Sequence, residues 1–167
     1  MKKTAIIYSF RSQKSKQQAQ KIAKAVEMPI DEVDADTLTR DIFVSYDNFI
    51  LAVPTWFDGE LPNYWDEFLP AIENEKLKGK KFAIYGGGDQ KDYPENFVDG
   101  VGIMAEFLED RGGKIVGHTS TEGYTFESSK ACRGNHFVGL ALDIENQAAL
   151  TKERVESWGR QLNKEFK

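Results

Sequence analysis

The feature that most constrains this chain is an alternation. Short, continuous apolar runs trade places with segments whose apolar residues recur at helical spacing. Residues 4–9 carry Ala5, Ile6, Ile7 and Tyr8 without a break, and 49–53 and 82–85 are similar runs. A strand that is apolar at successive positions is covered on both faces, as in a parallel sheet. Between these runs the period changes. Ala19, Ile22, Ala23 and Val26 form a helical stripe, as do Leu61, Trp65, Phe68, Leu69 and Ile72. Phe97, Val101, Met104, Ala105 and Leu108 form a third, and Val155, Trp158, Leu162 and Phe166 a last one. Five rounds of strand then helix predict an α/β fold, a five-stranded parallel sheet with helices on both faces.

Local signals set the expected boundaries. The first helix should start at Ser15, a candidate cap, and end at Pro29, with Ile30 and Val33 in the second strand. Asp36 and Thr37 should open a helix through Ser45 that buries Leu38, Ile42 and Phe43. Pro62, suited to a first helical turn, should begin a helix reaching about Glu75. Residues 96–111 read as the fourth helix, stopped by Gly112 and Gly113, and Thr151 as the cap of the last. The fifth strand starts over 115–118, is interrupted by the polar, glycine-containing stretch 119–136, and resumes over 137–142. With no repeat, linker or low-complexity tract, the 167 residues are expected to form one domain, 1–167.

Composition removes several function classes. No apolar run approaches the ~20 residues of a membrane span. The start of the chain reads as a first strand rather than a signal peptide, so the cytoplasm is the expected compartment. Cys132 is the only cysteine, which excludes an internal disulfide and multi-cysteine metal sites. With two histidines, His118 and His136, a histidine-rich site is not expected either. A net charge of −5 argues against nucleic acid as a partner.

In an open α/β sheet, ligands bind outside the carboxyl ends of the strands. The first such connection is Ser9, Phe10, Arg11, Ser12, Gln13, Lys14 and Ser15. Hydroxyls, backbone N–H groups and a helix N-terminus make an anion site there; taken alone, the loop also reads as a helix cap among solvated polar residues. The run 49–53 ends at Pro54 and then presents Thr55, Trp56, Phe57, Asp58 and Gly59. The run 82–85 leads into Gly86, Gly87, Gly88, Asp89 and, further on, Tyr93. Two adjacent strand ends, each delivering an aromatic, suggest a slot for a flat ligand. The alternative for Trp56 is a core cap. Lys14–Ser15 lacks the upstream glycines of a nucleotide-binding P-loop, and Gly86–Gly88 lacks the third glycine of a dinucleotide fingerprint.

Pro54-Thr55-Trp56 with Gly59-Glu60-Leu61, Gly88-Asp89-Gln90 with Tyr93, and Thr121-Glu122-Gly123-Tyr124 resemble the signature loops of long-chain flavodoxins. The resemblance runs from Met1 to Phe166. It implies a strand order of 2-1-3-4-5, an insertion in strand five, and FMN as cofactor. In a flavodoxin fold of that order FMN lies at the β1/β3 switch point. The resemblance places Ser12 and Ser15 on the phosphate hydroxyl positions, with Gln13 where the family usually has a glycine. Trp56 and Tyr93 would cover the two faces of the flavin ring, and Asp89 with the backbone from Gly88 through Asn96 and Phe97 its pyrimidine edge. Asp143 would lie near the ribityl chain. The peptide between Phe57 and Asp58, beside Gly59, would be the one that reorients when the flavin gains a proton.

The implied function is low-potential electron transfer, without enzymatic activity of the chain's own. The carrier would be a monomer serving basic-surfaced partners, a flavodoxin/ferredoxin reductase and acceptor oxidoreductases. Asp58, Glu60, Asp66, Glu67, Asp92 and Glu95 would form the complementary acidic rim. The competing enzyme reading is an NAD(P)H-dependent flavin or quinone reductase. A third reading is an interaction module without flavin.

Overall fold

The computed structural model describes residues 2–167; Met1, where the resemblance begins, lies outside them. The main sheet is built from β1 (Thr4–Tyr8), β2 (Asp31–Asp34), β3 (Asn48–Ala52), β4 (Lys81–Gly87) and β5 (Lys114–Val116) in the order β2-β1-β3-β4-β5, all parallel. The chain thus reverses direction of growth between β1 and β3, and that crevice is where the order predicts a ligand.

The interruption of strand five is visible in the pairing. β5 pairs with β4 through Lys81–Ala83, and β9 (Leu140–Leu142) takes over the same edge through Tyr85–Gly87. Between them the chain folds a small antiparallel sheet from β6 (Thr119–Ser120), β7 (Cys132–Arg133) and β8 (His136–Phe137). The expected continuous run 137–142 is therefore two strands in two sheets, separated at Val138 and Gly139.

Side chains of successive strand residues point to opposite faces, which sorts the core into two. Ile6, Tyr8, Ile50, Ala52, Ala83 and Tyr85 pack beneath α1 (Gln13–Ala25) and α6 (Thr151–Glu165). Ala5, Ile7, Phe49, Leu51, Phe82 and Ile84 face α2 (Arg40–Val44), α3 (Asn63–Phe68), α4 (Asp99–Glu109) and the insertion.

Several expected helix boundaries move, each for a local reason. Ser12, not Ser15, caps α1: its hydroxyl accepts the Ser15 N–H, and the helix starts at Gln13. It ends at Ala25, before Pro29, because Val26 is already extended. The helix expected over 36–45 is a 3-10 turn, Ala35–Thr37, capped by Asp34, followed by α2 capped by Thr39. Phe43 is buried there and Ile42 is exposed. Beyond α3 a 3-10 segment, Leu69–Ile72, replaces α-helix where Pro70 removes a donor. The fourth helix begins at Asp99 rather than Asn96, because Val98 adopts a left-handed conformation. Thr151 is the first helical residue of α6 and caps nothing; before it come α5 (Ile144–Gln147), capped by Asp143, and a 3-10 turn, Ala148–Leu150. These short elements carry too few apolar positions to show a period.

Candidate functional site

A cavity of about 730 Å³ lies across the carboxyl ends of β1, β3, β4 and β9, and a second of about 410 Å³ adjoins it. Both fall in the range of ligand pockets, roughly 300–1,000 Å³. They share Thr55, Trp56, Gly88, Asp89 and Tyr93.

One end of the larger cavity is the β1–α1 connection. Ser9, Arg11, Ser12, Lys14 and Ser15 line it, with Gln18 one turn further along α1. The first four N–H groups of an α-helix have no acceptor within the helix. Here the Ser15 N–H goes to Ser12 Oγ at 3.2 Å and the Lys16 N–H to the Ser12 carbonyl at 3.0 Å. The N–H groups of Gln13 and Lys14 remain for an anion, and the first turn holds no carboxylate. Gln13 needs no positive φ, since it is the first helical residue. A glycine there is not required. Two cations flank this end. Arg11 Nε stands 4.0 Å from Asp36 Oδ2 and Lys14 Nζ 3.5 Å from Glu145 Oε1. Asp36 is itself fixed by the Ser9 hydroxyl, which donates to it at 2.5 Å.

The other end holds the aromatics. Trp56 is 36 % exposed and Tyr93 52 %, so neither is a core cap. Trp56 meets Tyr64 edge-on, ring centroids 5.9 Å apart at 89°. Tyr64 lines the cavity, and its hydroxyl is pushed above the ordinary range, mainly by burial and then by the Asp36 carboxylate. It stays neutral at any physiological pH. The Trp56 loop is pinched shut by paired backbone hydrogen bonds between Trp56 and Glu60, both 2.8 Å. Inside the pinch, Phe57 has φ 52° and is 72 % exposed. Gly59 has φ +101° and lies against the neighbouring loop; a Cβ there would stand 2.8 Å from Asp99 Oδ2. Thr55 Oγ1 accepts the Gly100 N–H at 2.9 Å, supplying α4 with the cap its left-handed Val98 lacks.

In the Tyr93 loop, Asp89 Oδ1 accepts the N–H groups of Lys91 (3.1 Å) and Asp92 (3.0 Å) and the Asn146 side chain (2.8 Å). These donors, the Asp92 backbone first, hold its carboxyl below the usual carboxylate range. Asp143 does not line the cavity. It is 1 % exposed, and its carboxylate accepts the Gln90 N–H and both Asn146 nitrogens, so it holds the loop from behind.

Of the residues singled out in the sequence, Phe10, Gln13, Asp58 and Gly59 also fall outside both linings. Pro54 and Gly87 line the larger cavity and Phe57, Asn96 and Phe97 the smaller. The Phe97 ring is otherwise core, packed among Tyr124, Phe126 and Phe137. The sequence reading missed Gln18, Asp36, Tyr64, Leu142, Ile144 and Glu145. Tyr64 stands one position off the apolar stripe of its helix, and Asp36 follows a strand by two residues; only the strand order brings them to the cleft.

Fold and cleft define a class: a doubly wound α/β protein whose cleft has a helix N-terminus at one end and two aromatic loops at the other. The match to the flavodoxin family covers residues 6–158. The chain belongs to the flavodoxin family. Flavodoxin 1 of Escherichia coli strain K12 is 41 % identical over 151 residues, 87 % of this chain and 86 % of that protein. A flavodoxin of Trichodesmium erythraeum is 41 % identical over 171 residues, 99 % of each chain. The crystal structure of Fusobacterium nucleatum flavodoxin bound to flavin mononucleotide superposes with a TM-score of 0.92 at 31 % identity, covering all of both chains. Among the described residues no helix is long and apolar enough to cross a membrane.

Proposed function

We propose that this chain is a one-domain FMN-binding electron carrier. The observation that carries the reading is the two-ended cleft, free helix N–H groups at one end and the Trp56 and Tyr93 rings at the other. When bound, FMN supplies the redox chemistry. The chain's residues bind and shield it. Gln13 and Lys14 N–H groups with the Ser15 hydroxyl hold the phosphate, and Arg11 and Lys14 balance its charge. Trp56, braced by Tyr64, and Tyr93 cover the ring. The Gly88–Asp89 backbone meets its polar edge.

The partners are a reductase and acceptor oxidoreductases with basic surfaces. Asp58, Glu60, Asp66, Glu67, Asp92 and Glu95 are all exposed, and none is engaged in an ion pair among the described residues. Such a rim steers cationic surfaces and raises the rate of encounter. The carrier acts as a monomer in the cytoplasm. Aromatic cover on the cleft disfavours a nicotinamide-using reductase, since a second flat cofactor would need the space of Trp56 or Tyr93. The test is absorption of the purified protein with chromatography of the released cofactor. One FMN per chain is expected; FAD, or no flavin after incubation with excess FMN, would overturn the reading.

A further inference from the structure

We infer that Gln90 is a positioning residue for the Tyr93 loop, and that through it the strand-five insertion sets the ring end of the cleft. The inference rests on the FMN reading only for its binding assay. Gln90 is 4 % exposed and lines neither cavity, although its neighbour Asp89 lines both. Its backbone N–H donates to Asp143 Oδ2 at 3.1 Å, and its side-chain Oε1 accepts the Thr125 N–H at 2.5 Å. One residue thus joins the loop to the end of β9 and to the insertion.

The remaining ties between loop and insertion fall on the far side of Tyr93. The Pro94 carbonyl accepts the N–H groups of Glu127 (2.8 Å) and Ser128 (3.0 Å), the Ser128 hydroxyl donates to the Glu95 carbonyl (2.6 Å), and the Phe97 N–H donates to the Ser128 carbonyl (3.3 Å). Tyr93 is itself 52 % exposed and has no side-chain hydrogen bond among the described residues. Its place is therefore set by its loop, bracketed by Gln90 before it and Pro94 after it. Removing the Gln90 side-chain amide opens the bracket on one side and takes from the Thr125 N–H its partner in the loop, a bond that contributes about 1 kcal/mol.

The experiment compares Gln90→Met, which keeps the volume and loses the acceptor, with Tyr93→Ala and the double variant. Affinity is measured for FMN and for riboflavin, which lacks the phosphate. The expected result is about a tenfold loss for Gln90→Met, equal for the two ligands, and no further loss when Tyr93 is already alanine. Additive losses in the double variant, or a loss confined to FMN, would overturn the inference. Hydrogen exchange of the ligand-free protein reads it without flavin. Gln90→Met should speed exchange at Asp92 and Tyr93, whose N–H groups are bonded to Asp89; unchanged exchange there would equally overturn it. If the wild type takes neither ligand, the function proposed above falls, and the exchange comparison still decides the role of Gln90. Should Gln90→Met fail to fold, Gln90→Asn, one methylene shorter and out of reach of Thr125, carries the same comparison.

Discussion

The two ends of the cleft are made by different means. The anion end is local in its donors: one strand end, one helix start, and a cap from Ser12 to Ser15 three residues away, with only the acids beside its cations, Asp36 and Glu145, coming from elsewhere. Its cations are on the outside, and the Arg11 side chain stays almost wholly in water. The ring end is assembled from far along the chain. Thr55 holds Gly100, Asn146 holds Asp89, and the insertion holds residues 90–99, with Asp99 accepting the Lys130 N–H at 2.8 Å. Among the described residues, the two non-glycine residues with positive φ, Phe57 and Val98, are at this end. A β-branched or bulky residue in that region is strained by about 1–3 kcal/mol, which persists only where neighbours fix it. The lesson is that charge can be bound by a generic helix start, whereas a flat ring needs two loops held at a set spacing by the rest of the fold.

The largest expected effect breaks that support. Gly102 lies in α4 where the Lys130 carbonyl of the insertion rests on the helix, and a methyl group would overlap it. Gly102→Ala should destabilise the protein by about 3 kcal/mol, the upper part of the usual overpacking cost, seen in chemical denaturation. It should also loosen binding of riboflavin and FMN together. Loss of stability with unchanged ring affinity would separate the insertion from the cleft.

Next come the contacts themselves. Trp56→Ala and Tyr93→Ala should each weaken FMN and riboflavin alike by about 2 kcal/mol, the burial of an aromatic face plus its stacking. Ser15→Ala should weaken FMN alone by about 1.5 kcal/mol, one hydrogen bond to a charged group. Ser12→Ala should in addition lower stability by about 1 kcal/mol through the lost cap, which denaturation of the ligand-free protein would show. Equal losses for the two ligands in the serine variants would end the assignment of the two ends.

The difference in construction also explains what was legible in the sequence. Continuous apolar runs gave the central strands β1, β3 and β4, because burial on both faces leaves a mark at every position. The anion loop could be placed because all its parts lie within Ser9–Ser15. The aromatic loops showed themselves through glycines and exposed rings. What held them was hidden: Asp143, implied by resemblance to lie near the ribityl chain, turns inward as a brace for Gln90, and Gln90 stood only as one residue of the Gly88-Asp89-Gln90 motif, with nothing to show its partner in the insertion. A long-range hydrogen bond between a loop and an insertion has no period, and its partners are 35 residues apart. Phe97, expected inside the fourth helix, lies before it for a related reason: its spacing continues the helix stripe, and only Val98's left-handed turn breaks it off.

A smaller effect is expected at the cationic rim of the anion end. Arg11→Gln removes a charge that stands beside Asp36 and, on the proposed function, beside the phosphate of FMN. Exposed pairs contribute about 0.2–1 kcal/mol and are screened by salt. FMN affinity should fall by at most about fivefold at low ionic strength and match the wild type at high salt, with riboflavin unaffected. A salt-independent loss would mean that Arg11 makes a buried contact.

The smallest effect sharpens the comparison at the ring end. Asp58 sits at the tip of the Trp56 loop, exposed and outside both cavity linings. Its carboxylate disfavours extra negative charge on a bound flavin, so Asp58→Asn should raise the more reducing of the two one-electron potentials. The size follows from its exposure. Even at about 8 Å, two unit charges in bulk water interact by only about 0.5 kcal/mol, or roughly 20 mV for one electron. Were Asp58 buried against the ring, an effective dielectric near 20 would make the interaction about 2 kcal/mol, some fourfold larger. A stepwise reductive titration of wild type and variant at low and high salt distinguishes these. A shift of about 20 mV that fades with salt fits a solvated acid on a braced loop. An unchanged or lowered potential would remove Asp58 from the tuning altogether, and a large salt-resistant shift would show that the loop closes over the ring when flavin binds.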